Sequence, residues 1–174
     1  MKKSTFSILK YITLFFVGFI VYMTMEILWK GSTHWTMGVL GGICLIIIGL
    51  INELFSDIPL LYQGFIGSII ITFLEYFSGM ILNVKLGLGI WDYSMLPWNV
   101  DGQVCLYFSI LWIFVSMFAS ILDDYIRTKL FDESPKIVRL FWINRHYVDI
   151  YIVPICRYKY INHIKREVCL HGFR

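Results

Sequence analysis

Four long stretches of the sequence are almost free of charged side chains, and this feature limits the fold more than any other. Each is about twenty residues long, which is the length an α-helix needs to cross a hydrocarbon core about 30 Å thick. We predict four transmembrane helices, over Tyr11–Trp29, Thr36–Phe55, Pro59–Leu82 and Val104–Leu122. The composition agrees, because 58% of the residues are hydrophobic and only 16% are charged, whereas soluble domains carry about 25% charged residues. The predicted fold class is therefore all-α, a polytopic membrane helical bundle.

The basic residues are distributed unevenly around these spans. Three of the 15 precede the first span and ten follow the fourth, so that only Lys30 and Lys85 lie in the two loops on the opposite side. Cytoplasmic segments of membrane proteins carry the excess of Lys and Arg. We therefore predict a cell-membrane protein with both termini in the cytoplasm. Four tryptophans then fall near the outer boundary, where indole rings commonly lie: Trp29, Trp35, Trp91 and Trp98.

Three glutamates lie inside or beside the predicted spans. A carboxylate at the centre of a membrane costs about 3 kcal/mol on insertion scales, so each needs a partner, a proton or water. Glu26 and Glu75 belong to the outer half of the bundle, whereas Glu53 belongs to a separate inner polar cluster. Two interpretations of Glu26 and Glu75 stay open. They form a shared site for a cation, a proton or a headgroup, or they are protonated or hydrogen-bonded and only fix the helix register.

Small and polar residues recur at steps of three and four in the second, third and fourth spans. Small residues let helix backbones approach closely in a membrane, so we expect these faces to point toward other helices. The stripes are Gly38, Gly42, Gly49 and Glu53 in the second span, Gly64, Ser68, Glu75 and Gly79 in the third, and Ser109, Ser116 and Ser120 in the fourth.

The loop between the third and fourth spans is too polar to face lipid and too aromatic to extend into water. Irregular backbone at membrane depth is tolerated where it is buried in protein or lines a wet cavity. We therefore expect a structured outer loop that caps the bundle, with polar ligands from Asp92 and Asn99 and walls from Trp91 and Tyr93. The candidate substrate-binding residues are Glu26, Glu75, Trp91, Asp92, Tyr93 and Asn99. We assign no catalytic residue, no metal ligand and no cofactor.

The loop contains the sequence Trp-Asp-Tyr-Ser, followed at a fixed spacing by an asparagine and a glycine. The residues concerned are Glu75-Tyr76, Trp91-Asp92-Tyr93-Ser94, Pro97 with Asn99 and Gly102, and the helix from Cys105-Leu106 to Trp112, with weaker support from Trp35-Thr36-Met37, Gly41-Gly42 and Ile51-Asn52-Glu53. In these residues the chain resembles the ABC-transporter type IV, or CmpB-like, family over roughly residues 20–125. The resemblance implies a multi-pass bacterial membrane protein described as a permease. The chain beyond about residue 125 departs from the pattern that we expect of this family.

The chain divides into a four-helix transmembrane domain over residues 1–124 and a basic cytoplasmic tail over residues 125–174. Ser134 and Pro135 suit the start of a short amphipathic helix on the membrane surface. Basic and aromatic residues farther along favour contact with anionic lipid headgroups. The same mixture could bind RNA, but attachment to a membrane domain favours lipid, so nucleic acid is the less favoured partner.

Three functions remain open from the sequence. The first is a small permease or a substrate-binding membrane component of a transporter, with a polar site under the outer loop. No Gly-rich phosphate loop ending in Gly-Lys-Ser or Gly-Lys-Thr occurs, so ATP hydrolysis would need a partner subunit, and the chain could also form a homo-oligomer. The second is a membrane enzyme that acts on a lipid or its headgroup. The third is a non-catalytic scaffold or sensor.

Overall fold

The computed structural model describes residues 3–55 and 58–133 as four long helices and a short two-stranded hairpin. The predicted amphipathic helix of the tail lies outside these residues. In chain order the elements are α1 (Lys3–Lys30), α2 (Trp35–Leu54), α3 (Leu60–Gly79), a π-helical segment (Met80–Lys85), β1 (Asn99–Val100), β2 (Val104–Cys105) and α4 (Leu106–Leu130).

The prediction of four long apolar helices is confirmed, because all four are long and apolar enough to cross a membrane. The first and the fourth differ from their predicted bounds. Helix α1 begins at Lys3, eight residues before Tyr11. The first two predicted residues of the fourth helix form β2, and that helix continues eight residues past Leu122 to Leu130. Helix α4 continues because Asp123, Asp124 and Arg127 are buried within the bundle, where Arg127 pairs with Asp123. Helix α4 therefore runs through residue 124, where we placed the boundary between the membrane domain and the tail.

The helices pack closely through the small residues. A Cβ atom added to Gly18 of α1 would lie 2.6 Å from Gly41 O of α2, and one added to Gly64 of α3 would lie 2.9 Å from Ile113 O of α4. Helix α1 thus packs on α2 and α3 on α4, while α2 also contacts both α3 and α4. The predicted burial of the stripes is confirmed for Gly38, Gly42, Gly49, Gly64, Ser68, Glu75, Gly79, Ser116 and Ser120.

Large apolar side chains cover the outside of the bundle. On α3 they repeat every four residues along one exposed face: Phe65, Ile69, Phe73 and Phe77. A helix face of this kind needs an apolar environment, which lipid provides. In the interior, a buried apolar group that we call the central cluster packs between the helices. It consists of Met37, Leu40, Cys44, Ile48, Ile71 and Trp112.

The two ends of the bundle carry different structures. At the end that we call the loop end, α1 is joined to α2 and the loop leads from α3 to α4. There β1 pairs with β2 in antiparallel register, with Asn99 opposite Cys105. At the other end, the terminal end, α2 is joined to α3 and α4 finishes. The four tryptophans predicted to share one boundary all lie at the loop end, in the last residues of α1, the first of α2 and the loop.

Candidate functional site

An amide side chain just past α3 makes three hydrogen bonds to the loop. Asn83, in the π-helical segment, donates from Nδ2 to Trp91 O at 3.0 Å and to Gln103 Oε1 at 2.9 Å, and its Oδ1 accepts from Ile90 N at 2.7 Å. Trp91 Nε1 in turn donates to Gln103 O at 2.8 Å. The nitrogen and the oxygen of the Asn83 amide both bind loop residues. The loop therefore lies against the end of α3 and does not extend into solvent.

A cavity of about 540 Å³ lies between this loop, the last turns of α1 and the first turns of α4. That size falls in the range of small-molecule sites, about 300–1,000 Å³. Its lining is mostly aromatic and aliphatic with a few charged groups: Tyr22, Met25, Glu26, Leu28, Trp29, Lys30, Ile90, Trp91, Asp92, Tyr93, Phe108, Leu111 and Trp112.

Glu75 lies directly behind the cavity wall and is only 2% exposed. Its Oε2 accepts a hydrogen bond from Trp112 Nε1 at 2.8 Å, and its Oε1 accepts one from Tyr93 OH at 3.2 Å. Both donors line the cavity. The carboxyl group is therefore one side chain away from any molecule in the cavity and is held by two fixed donors.

Glu26 lies on the cavity wall itself, on the side that α1 supplies. Its Oε1 is 2.9 Å from Lys30 Nζ one helical turn away, and its Oε2 accepts a hydrogen bond from Thr33 Oγ1. Lys30 Nζ also lies 3.4 Å from Ile90 O in the loop. The pair therefore connects α1 to the loop and places a negative and a positive charge together at the cavity.

Asp92 and Asn99 have different places in the loop. Asp92 is exposed and lines the cavity, and its Oδ1 accepts hydrogen bonds from the hydroxyl and the backbone N–H of Ser94. These bonds lower the pKa of Asp92 below its ordinary value. The Asn99 amide binds only loop backbone: it donates to Leu96 O at 2.7 Å and accepts from Gly102 N at 3.1 Å. Asn99 shapes the hairpin and is not among the residues that line the cavity.

Tyr93 connects the two glutamates electrostatically. Burial raises the pKa of its hydroxyl, and the nearby carboxyl of Glu75 and, to a smaller extent, that of Glu26 raise it further. The Tyr93 ring stacks on Phe108 at 4.8 Å between centroids. The hydroxyl therefore stays protonated and remains a hydrogen-bond donor toward Glu75.

Sequence reasoning missed several residues that build this site. Trp112 binds Glu75 and stacks on Tyr22 with 6.0 Å between ring centroids. Asn83 and Gln103 hold the loop, and Lys30 pairs with Glu26. Trp112 is the last residue of the motifs that carry the family resemblance, and its spacing from the preceding loop is a signal that could have identified it.

His34, the one histidine among residues 3–55 and 58–133, caps a helix. It is the N-cap residue of α2, and its Nδ1 accepts a hydrogen bond from Thr36 N. This contact uses one ring nitrogen to cap the first turn of α2. His34 therefore gives no support to the hypothesis of a lipid-modifying enzyme.

A second polar cluster lies at the terminal end, and Glu53 belongs to it as predicted. Arg127 Nη1 is 2.7 Å from Glu53 Oε2, and Arg127 Nε is 2.8 Å from Asp123 Oδ1. Lys10 of α1 pairs with Glu133, just past α4, at 2.8 Å. These ion pairs join α1, α2 and α4 at the end of the bundle opposite the cavity.

Four apolar helices, a lipid-compatible exterior and buried ion pairs at one end define a multi-pass membrane protein. A family model described as "Putative ABC-transporter type IV" matches residues 11–153, and the chain belongs to this family. The match extends beyond the resemblance at both ends, so the predicted departure from the family pattern after about residue 125 is wrong as far as residue 153. The comparisons with curated proteins and with solved structures found no match.

Proposed function

We propose that the protein is a small membrane component of a transporter, and that it binds its substrate in the cavity under the loop. The observation that carries this proposal is the cavity itself, together with the buried Glu75 that two of its lining side chains hold. Membrane-embedded carboxyl groups that face a cavity commonly mark substrate or ion pathways. Membership of a family named for ABC transporters points in the same direction.

The lining favours an organic molecule with a cationic or hydrogen-bond-donating head and an apolar body. The carboxylates of Glu26 and Asp92 only accept hydrogen bonds when ionised, and aromatic faces such as those of Trp91 and Trp112 attract cations. Met25 and Leu28, on the α1 side of the cavity, are also exposed on the outside of the bundle. An amphiphile could therefore reach the cavity from the lipid phase.

The proposal includes an orientation of the chain in the membrane and partner subunits. The distribution of Lys and Arg supports a cell-membrane protein with both termini in the cytoplasm and the loop outside. Substrate movement would then need a second copy of the chain or an ATP-hydrolysing partner subunit. The basic segment after residue 125 would contact anionic lipid headgroups. In this arrangement the membrane domain extends to the end of α4 at Leu130, past the predicted boundary at residue 124.

The decisive experiment measures binding of a long-chain quaternary ammonium, dodecyltrimethylammonium, to the protein in lipid nanodiscs. Quenching of tryptophan fluorescence should report saturable binding, because Trp91 and Trp112 line the cavity. Glu75→Gln should weaken binding about tenfold, which corresponds to about 1.4 kcal/mol. Its melting temperature should stay close to that of the wild type, since Gln retains an acceptor for the Trp112 N–H.

Two variants serve as matched controls. Glu133→Gln removes a carboxylate at the terminal end, and Trp98→Phe changes an exposed tryptophan that does not line the cavity. Both should bind the probe as the wild type does. Equal weakening in Glu75→Gln and Glu133→Gln would reject the site. A stable wild-type protein without saturable binding would favour the scaffold hypothesis instead.

A further inference from the structure

Helices α1 and α4 leave a gap between them on one side of the bundle. Helix α1 packs on α2, and α4 packs on α3 and α2, whereas α1 and α4 touch each other at few points. A narrow cavity of about 60 Å³, which we call the α1–α4 groove, lies in this gap. Residues between Gly18 and Met25 line it on the α1 side, and residues between Trp112 and Leu122 line it on the α4 side. Residues of α2 and Ile71 of α3 form its floor.

The groove is closed at its floor and open on the outside of the bundle. A Cβ atom added to Gly18 would lie 2.6 Å from Gly41 O and 2.8 Å from Leu45 Cβ, so no further atom fits between α1 and α2 at this point. Met25 of α1 is 43% exposed and Phe118 of α4 is 59% exposed, although both line the groove. In a membrane, the open side therefore faces lipid.

The groove adjoins the cavity under the loop. Tyr22, Met25 and Trp112 line both spaces. The rings of Tyr22 and Trp112 stack with 6.0 Å between their centroids, and Trp112 also donates to Glu75. This ring pair is therefore a common wall of the two spaces. A chain attached to a head in the cavity would enter the groove beside it.

The two spaces differ in their chemistry. The cavity under the loop is lined in part by the charged residues Glu26, Lys30 and Asp92. Within the part of the chain that the structure describes, no charged residue lines the groove. Because an unpaired charge in such an apolar space would be costly, the groove suits only an uncharged part of a ligand. An amphiphile has the same division into a polar head and an apolar chain.

The dimensions of the groove fit one unbranched chain. The ten residue steps from Trp112 to Leu122 correspond to about 15 Å at a rise of 1.5 Å per residue. With carbon–carbon bonds of about 1.5 Å, an extended hydrocarbon chain needs roughly twelve carbon atoms to cover this distance. A volume of about 60 Å³ spread over that length leaves no room for a second chain or a ring system.

We propose that the substrate is a single-chain amphiphile from the surrounding lipid, whose alkyl chain lies in the α1–α4 groove while its cationic head occupies the cavity under the loop. This inference rests on the proposed function for the head and adds a second site for the chain. The chain enters from the side, between Met25 and Phe118, so that the molecule binds without leaving the membrane. Lipids with two chains are excluded, because the groove holds only one.

The test uses dodecyltrimethylammonium that carries a photoreactive diazirine on the last carbon of its chain. The probe is irradiated with the protein in lipid nanodiscs, and peptide mass spectrometry locates the labelled residues. We expect saturable labelling at the far end of the groove, near Ala119 and Leu122, and excess unmodified dodecyltrimethylammonium should remove most of it. Ile69 and Phe73 on the exposed face of α3 are the internal reference, because probe dissolved in the bilayer labels them without saturation. Saturable labelling no stronger in the groove than on that face would overturn the proposal.

Two neighbouring residues of α1 provide a matched pair of variants. Val21 lines the groove, whereas Ile20 is 61% exposed and is not among the residues that line either space. Val21→Phe places a larger side chain in the groove and should remove most of the saturable labelling. Ile20→Phe makes a similar change toward lipid and should keep it. Equal labelling in the two variants would also overturn the proposal. If Val21→Phe does not fold, Val115→Phe fills the groove from α4, with the exposed Ile110→Phe as its control.

The outcome is separable from that of the proposed function. Quenching of tryptophan fluorescence by the unmodified probe, compared between the wild type and Glu75→Gln, measures the head site. Saturable groove labelling that Glu75→Gln does not weaken would support the chain site and reject the head site. Saturable binding that Glu75→Gln weakens, without saturable labelling in the groove, would support the head site and overturn the chain site.

Discussion

The two ends of the bundle stabilise a buried carboxyl group by different contacts. At the loop end, each oxygen of the Glu75 carboxyl group accepts a hydrogen bond from a fixed aromatic donor, and a cavity opens beside it. At the terminal end, Asp123 is as deeply buried, but its site combines strong ion pairs with oxygens that have no partner among the described residues. The first site adjoins a cavity, whereas the second is held by ion pairs that join three helices.

The difference corresponds to two ways of stabilising a carboxyl group in a membrane interior. A buried acid whose hydrogen bonds come from the protein is preorganised, so a visiting molecule can bind beside it without rebuilding the site. A buried acid held by ion pairs depends instead on its cationic partner staying in place. Substitutions of individual residues at each end test this difference.

The largest expected effect is at the terminal end. Arg127→Met should destabilise the protein by about 3–5 kcal/mol, because it leaves the Asp123 carboxylate buried without its cation. Unfolding in mixed micelles with increasing sodium dodecyl sulfate would measure the change. The double variant Asp123→Asn with Arg127→Met should recover much of the loss, since neither charge then remains. If the double variant is no more stable than the single one, the ion pair is not what holds this end together.

A smaller effect is expected at Glu75. Trp112→Phe should cost about 1.5–3 kcal/mol by removing a hydrogen bond to a charged or strongly polar group. Tyr93→Phe removes the longer bond, at 3.2 Å, and should cost less. The same unfolding assay would rank the two variants. A larger loss in Tyr93→Phe would show that the loop, rather than α4, provides the main support of the carboxyl group.

The loop itself provides a matched pair of glycines. Gly102 and Gly87 have almost the same positive φ, 66° and 65°, but a Cβ atom added to Gly102 would lie 2.9 Å from Asp92 Oδ1, whereas Gly87 has no such neighbour within 4 Å. Gly87→Ala should cost about 1–2 kcal/mol from the left-handed backbone alone. Gly102→Ala should cost more and should also weaken probe binding, because it displaces Asp92. Equal losses of stability and binding would show that the loop tolerates movement at the cavity.

The smallest expected effect concerns the charge of Asp92. Hydrogen bonds from Ser94 lower its pKa, so the interaction is present at neutral pH and is lost as the pH falls through that lowered pKa. Ser94→Ala removes the hydroxyl donor, and Asp92 should then become protonated at a higher pH than in the wild type. Carbon NMR of labelled aspartate carboxyl groups would measure the difference. An unchanged titration would mean that the backbone N–H of Ser94 alone sets the pKa.

Hydropathy predicted the helices because membrane crossing imposes a length and a composition that are visible in the sequence. The end of α4 was missed because Asp123, Asp124 and Arg127 look like the start of a polar tail. Only the tertiary partners of these residues, such as Glu53 from a helix more than seventy residues earlier, make burial possible. A single sequence does not show that pairing.

At the candidate site, the sequence predicted which acids and aromatics would gather near the loop, but it did not predict what each one does. Asn99 resembles a ligand by type, yet its amide is used by the loop backbone. Asn83 resembles an ordinary helix-end residue, yet it fastens the loop because the last turn of α3 widens to a π-helical segment. Such roles depend on local backbone geometry.

The central cluster gives the molecule an electrical property. Ile48, Ile71 and Trp112 separate the carboxyl group at one end from the ion pairs at the other, and polar regions on either side screen an applied field better than an apolar layer does. Across a membrane that carries a voltage, the field would therefore be strongest in this layer, and each elementary charge that crossed the full voltage would gain or lose about 2.3 kcal/mol per 100 mV.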